Sequence, residues 1–320
     1  MKLAIIYNPQ DSKLLPSAYS WTYRDMFLAI LERFAPVQMV TESCDASVID
    51  SDAILFWDVH SSHHIEIAGI ENHRAVKFEY FNDPHQIELR GVYRASGQSF
   101  HKLSAAQRCE RAKRRAVQWI ICPYRGGYER YIAPHSGDMQ LLWFPVAPAL
   151  RRLSSSPLAA RCPEVLANGH TWPGDNGFRP YEFRRWAFER PGVTFVEHSI
   201  VTNGARGAFY QAFLSQYAAA LALCDNYVVP KYLEIPMAGC LCFCQMLPDY
   251  GQMGFVDGVN CISVDRNNFD ERIKDFLSSP AAYQSVASAG RELVTAKYTA
   301  WHFADFLWKH IKRCLSEVNQ

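Results

Sequence analysis

An α/β fold of two Rossmann-like domains facing across a cleft is what the sequence predicts, and three features predict it. Short apolar runs alternate with helical stretches along most of the 320 residues, the pattern of parallel βαβ units. Near position 150 the alternation breaks in a proline- and serine-rich segment, then begins again. The length suits two domains rather than one. Residues 1–150 are assigned to the first domain and 151–300 to the second. Residues 301–320 form a closing helix, expected to cross back to the N-terminal domain.

Residues 3–7 are an apolar run cut off by Asn8-Pro9; the run is too short for a signal peptide and reads as a first strand. Residues 21–34 have helical apolar spacing. Residues 53–57 form a strand ending in the polar cluster Asp58-Val59-His60-Ser61-Ser62-His63-His64. Residues 76–81 form the next, followed by the turn chemistry of Asn82-Asp83-Pro84-His85. A basic helix at 104–117 and strands at 119–122 and 140–144 complete the first half. The linker runs from Pro145-Val146-Ala147-Pro148 to Ser154-Ser155-Ser156-Pro157.

In the second half a short strand at 164–167 leads into Asn168-Gly169-His170-Thr171-Trp172. A helix at 178–188, a strand at 193–196 and the glycine-rich loop Asn203-Gly204-Ala205-Arg206-Gly207 follow. Residues 209–224 read as one helix and 227–229 as a brief strand. The stretch Lys231-Tyr232-Leu233-Glu234-Ile235-Pro236-Met237-Ala238-Gly239 reads as a helix stopped by glycine, followed by the buried strand Cys240-Leu241-Cys242-Phe243-Cys244. Turn signals surround Asp257-Gly258, and amphipathic helices occupy 269–277, 281–297 and 301–314.

The bulk numbers narrow the function. With 49% hydrophobic and 20% charged residues the chain has ample core. Its 33 basic residues against 32 acidic ones give no electrostatic case for nucleic acid as a partner. The basic clusters at positions 108–115 and at Arg184-Arg185 read as solvated helix faces. The ten cysteines have no disulfide or zinc spacing and read as reduced thiols of a cytoplasmic protein. No apolar run is long enough to span a membrane, so any membrane contact is peripheral. No Gly-x-Gly-x-x-Gly follows the first strand, which argues against a dinucleotide enzyme such as a dehydrogenase or epimerase.

Three segments, in order, resemble the C-terminal half of a GT-B glycosyltransferase of the group 1 kind, most nearly its CgeB-like variant. These are Lys231 to Cys240 as quoted, Gly258-Val259-Asn260-Cys261-Ile262-Ser263-Val264, and the closing segment with Arg291, Lys297-Tyr298-Thr299 and the helix from Trp301. The resemblance implies transfer of a sugar from a nucleotide diphosphate donor to a hydroxyl of a glycan, lipid-linked or small-molecule acceptor. It implies no metal and no cofactor. It gives Glu234 the role of accepting hydrogen bonds from the donor ribose, which suits a carboxylate facing two vicinal hydroxyls; the alternative is a partner for the helix dipole. A second glutamate of the family, eight positions earlier, is Asn226 here. That departure keeps open a non-catalytic nucleotide- or glycan-binding protein of the same fold.

Further donor-side candidates are Gly169, as a family glycine or a plain turn; Arg206, near the diphosphate or on a surface loop; and Lys231, neutralising phosphate or solvated. Tyr227, near a strand end, and Gly239, closing the glutamate helix, complete the set. On the acceptor side, His60 or His63, with Asp58 beside them, is the candidate general base or sugar contact just beyond a strand end.

Overall fold

The computed structural model describes residues 1–9, 14, 22–57, 65–82, 92–95, 98–101, 103–150, 156–169, 171, 181–196 and 209–318. The chain forms two compact units. One comprises residues 1–18, 23–145 and 300–320, the other 19–22 and 146–299.

The first unit holds a six-stranded parallel sheet. Its strands are β1 (Leu3–Tyr7), β2 (Val37–Val40), β3 (Ala53–Trp57), β4 (Val76–Tyr80), β5 (Trp119–Ile121) and β6 (Gln140–Leu142), in the order β6-β5-β4-β3-β1-β2. The register pairs Leu3 with Val37 on one side and with Ala53 on the other. β1, β3 and β4 are buried along almost their whole length, as parallel strands covered on both faces must be. Helix α1 (Thr22–Phe34) follows β1, and α2 (Ala105–Arg114) precedes β5. A capping box starts α2: Ser104 Oγ accepts from the Gln107 N–H, and Gln107 Oε1 accepts from the Ser104 N–H. The short strand β2 was not expected from the sequence.

The basic stretch of α2 is not a solvated face. Arg108, Arg111 and Arg115 are buried; Arg111 meets Glu79 Oε1 at 2.8 Å and Arg115 meets Oε2 at 3.4 Å. The reason is Glu79, fully buried on β4, which a covered sheet tolerates only when its charge is compensated.

The second unit holds a five-stranded parallel sheet of β7 (Cys162–Ala167), β8 (Val193–Phe195), β9 (Tyr217–Ala222), β10 (Leu241–Cys244) and β11 (Ile262–Ser263), in the order β8-β7-β9-β10-β11. Its helices include α3 (Glu182–Phe188), α4 (Tyr210–Leu214), α5 (Lys231–Met237), α6 (Phe269–Ser278) and α7 (Gln284–Lys297). The core packs Phe183, Phe188, Phe243, Phe269 and Phe276 around the sheet; each such side chain contributes about 1.5–3 kcal/mol of burial. Helix α8 (Ala300–Val318) belongs to the first unit, where Asp305 pairs with Arg33.

Two expectations fail here. Residues 209–224 are not one helix: α4 ends at Leu214 and the alanine-rich Tyr217–Ala222 is the central strand β9. Residues 218–222 are all buried between β7 and β10, and burial on both faces overrides the helix preference of alanine. Residues 227–229 form a bend into α5, not a strand.

Candidate functional site

Both sheets place strand 1 beside strand 3, with strand 2 outside. In open α/β sheets with this order, ligands bind where the strand order reverses, beyond the C-terminal ends of the strands. In the second unit that point lies between β7 and β9. β7 ends at Ala167, and Asn168 and Gly169 follow, both buried.

Three elements converge on these two residues. Lys231, in the first turn of α5, donates its ammonium to Asn168 Oδ1 and to the Tyr210 hydroxyl of α4, the latter at 2.5 Å. Tyr210 also donates to Asn168 Oδ1 at 3.2 Å. Gly169 has φ of 111°, and a Cβ there would sit 3.2 Å from Lys231 Cε and 3.6 Å from Arg184 Nη1. Glycine is therefore needed for conformation and for space.

Lys231 is buried, not solvated. Burial lowers its pKa from 10.5 to about 7; Glu234 opposes the shift and Arg184 adds to it. Arg184 of α3 is buried as well, against the solvated reading. It donates to the Leu223 carbonyl beyond β9 and stacks over the Tyr181 ring at 4.0 Å.

Glu234 lies one turn after Lys231 with 4% of its surface exposed. Its place in the first turn of α5 suits a carboxylate. Thr22, which clusters with this unit, donates its hydroxyl to Glu234 Oε1 at 2.5 Å. A carboxylate has lone pairs for further donors.

Tyr227 is buried and Asn226 half-buried in the bend before α5. Gly239 stands at the far end of α5 from Glu234. With φ of 71° and a would-be Cβ 3.1 Å from Arg161 Nη2, it is the left-handed stop of the helix and is set apart from the Lys231 cluster. Asn168 and Tyr210 were not singled out from sequence. The one available signal was an amide side chain at a strand end, just before a glycine.

Arg206 lies outside the described residues. So do Asp58, His60 and His63. The strand they follow, β3, ends at Trp57 beside β1, at the order reversal of the first sheet. Among the described residues no group of three His, Cys, Asp or Glu side chains is placed to hold a metal ion, and no helix is long and apolar enough to cross a membrane.

No family model and no curated protein matches the sequence. Solved structures do match. Sucrose-phosphate synthase from Thermosynechococcus elongatus superposes with a TM-score of 0.55 at 12% identity, over 99% of this chain and 100% of that one. HepE from Anabaena, in complex with UDP and glucose, gives 0.54 at 11% identity, over 98% and 100%. TarM gives 0.51 at 10% identity over 89% of this chain, which spans only 58% of TarM. This chain has the GT-B fold. Within it, the second Rossmann-like unit carries the Lys231–Asn168–Gly169 cluster at its order reversal, and the first carries the end of β3 at its own.

Proposed function

We propose that the protein is a metal-independent glycosyltransferase of hexosyl type. It moves a sugar from a nucleoside diphosphate donor to a hydroxyl of a carbohydrate, lipid-linked or small-molecule acceptor. The observation that carries this reading is the buried Lys231–Glu234 turn beside Asn168 and Gly169, at the order reversal of the second sheet. In the proposed complex Glu234 accepts from the two ribose hydroxyls. Gly169 leaves the backbone open to close approach, and Lys231 with Arg184 supplies positive charge to the diphosphate leaving group. Asn226 and Tyr227 lie in the adjoining bend, near the base or the donor sugar; Arg206 is assigned to the diphosphate. HepE, a protein of the same fold, was crystallised with UDP and glucose, which favours a uridine donor.

The acceptor belongs to the first unit. His60 or His63 is proposed as general base for its hydroxyl, with Asp58 orienting the imidazole. Ten cysteines without a disulfide favour a reducing, cytoplasmic setting.

A panel of UDP-, GDP- and CMP-sugars tests the reading. Saturable binding with slow hydrolysis is the expected result; no binding across the panel would sink it. The second reading, a binder without turnover, is favoured by Asn226 in place of the family glutamate. It predicts that Glu234→Ala weakens nucleotide affinity with no turnover to lose.

A further inference from the structure

The Asn168 side chain is 4% exposed and only half satisfied. Lys231 Nζ and the Tyr210 hydroxyl both donate to the amide oxygen, so the oxygen faces them. That fixes Nδ2 on the opposite side, where it is buried and has no hydrogen-bond partner among the described residues. A buried amide nitrogen left without an acceptor is costly. The amide stands at the order reversal of the sheet, next to a glycine whose φ of 111° disfavours a side chain. The same geometry keeps the Lys231 nitrogen behind Asn168, among neutral oxygens.

We infer that Asn168 Nδ2 is a donor to an oxyanion of the nucleoside diphosphate, and that Lys231 and Tyr210 are positioning residues that lock its amide in the donating orientation. This rests on the donor-binding reading above. It changes the part played by Lys231: besides its charge, it supplies the hydrogen bond that turns Asn168 toward the ligand.

The test compares calorimetric binding of UDP, uridine and inorganic pyrophosphate to the full chain. Asn168→Ala removes the donor. Asn168→Asp keeps the shape and the acceptors for Lys231 and Tyr210 but offers an anion nothing. Thermal unfolding of both variants confirms folding, and the aspartate variant serves if the alanine variant is unstable. UDP and pyrophosphate should lose about ten- to a hundredfold in affinity, the worth of a hydrogen bond to a charged group, while uridine binding stays unchanged. The double variant Asn168→Ala with Lys231→Met should bind UDP more tightly than the two single losses, added together, would give.

Equal losses for uridine and UDP, unchanged UDP affinity, or fully additive losses would overturn the inference. If the wild-type chain binds pyrophosphate through Asn168 but no nucleotide, the oxyanion site stands and the nucleotide reading falls. If it binds neither, both fall.

Discussion

Lys231 should take up a proton when a diphosphate binds. In the unliganded protein, burial holds its pKa at about 7. The groups facing it are Asn168, Tyr210, Glu234 and Arg184, and of the two charged ones only Glu234 favours the charged form. A diphosphate nearby adds negative charge and raises the pKa. At pH 8, above this value, most unliganded molecules lack the proton, so binding should draw a fraction of a proton from the buffer. The sign follows: raising the pH removes the proton before binding, so affinity should fall about tenfold per unit above pH 7, near 1.4 kcal/mol. Free nucleoside diphosphate is fully ionised there, its last pKa being about 6, so the ligand contributes no proton of its own. Titration calorimetry at pH 8 in two buffers of different ionisation enthalpy measures the uptake. Lys231→Met should abolish it. No uptake by the wild-type chain, or the same uptake by Lys231→Met, would refute the reasoning.

The same shift has a stability consequence. Lys231 has a folded pKa of about 7 against 10.5 when exposed, so the unfolded chain binds more protons between these values. The wild type should therefore gain stability from pH 7 to pH 8.5 relative to Lys231→Met, by at most about 1.4 kcal/mol per unit; denaturant titrations at the two pH values check this. Glu234→Gln should lower uridine affinity about ten- to a hundredfold, as read by calorimetry. Glu79→Gln should cost about 3–5 kcal/mol in chemical denaturation, because it strands the buried Arg111 and Arg115. Gly290→Ala should cost about 1–3 kcal/mol, since its Cβ would lie 2.5 Å from the Asn260 carbonyl oxygen and a backbone atom cannot step aside; a lowered melting temperature reports it.

The strands were legible wherever an apolar run met a turn signal, as at Tyr7 before Asn8-Pro9 and at Cys240 after Gly239. They were illegible where composition and burial disagree. Tyr217–Ala222 is alanine-rich, a helix former by propensity, and becomes a strand because β7 and β10 pair with its two edges and its residues 218–222 are buried. Arg108, Arg111 and Arg115 share one helix face by their spacing, but only a lone glutamate in the strand Val76–Tyr80 hinted that the face is buried. At the candidate site, Glu234, Lys231 and Gly169 could be named from local motif and position. Asn168 and Tyr210 could not, because their bonds to Lys231 join residues 63 and 21 positions away, and no local pattern encodes such partners.

The two buried charge clusters show why one reads as scaffold and the other as a binding site. In the first unit the cluster pairs opposite charges: Glu79 accepts from Arg111 and Arg115, and Arg115 also lies 4.3 Å above the Phe56 ring. Such a cluster repays part of its own desolvation and has no need of a ligand. In the second unit, the Lys231 ammonium donates only to neutral oxygens among the described residues and feels Glu234 through space. Its lowered pKa expresses that imbalance: the protein buries a cation beside acceptors that stabilise it too little. Asn168 repeats the imbalance with an amide whose oxygen is held and whose nitrogen has no acceptor among the described residues. A single anionic ligand at the order reversal of the sheet would relieve both, restoring charge to Lys231 and an acceptor to Asn168. Two separate deficits that one ligand removes are hard to account for as packing alone, and they support the proposal that the second unit is the donor side.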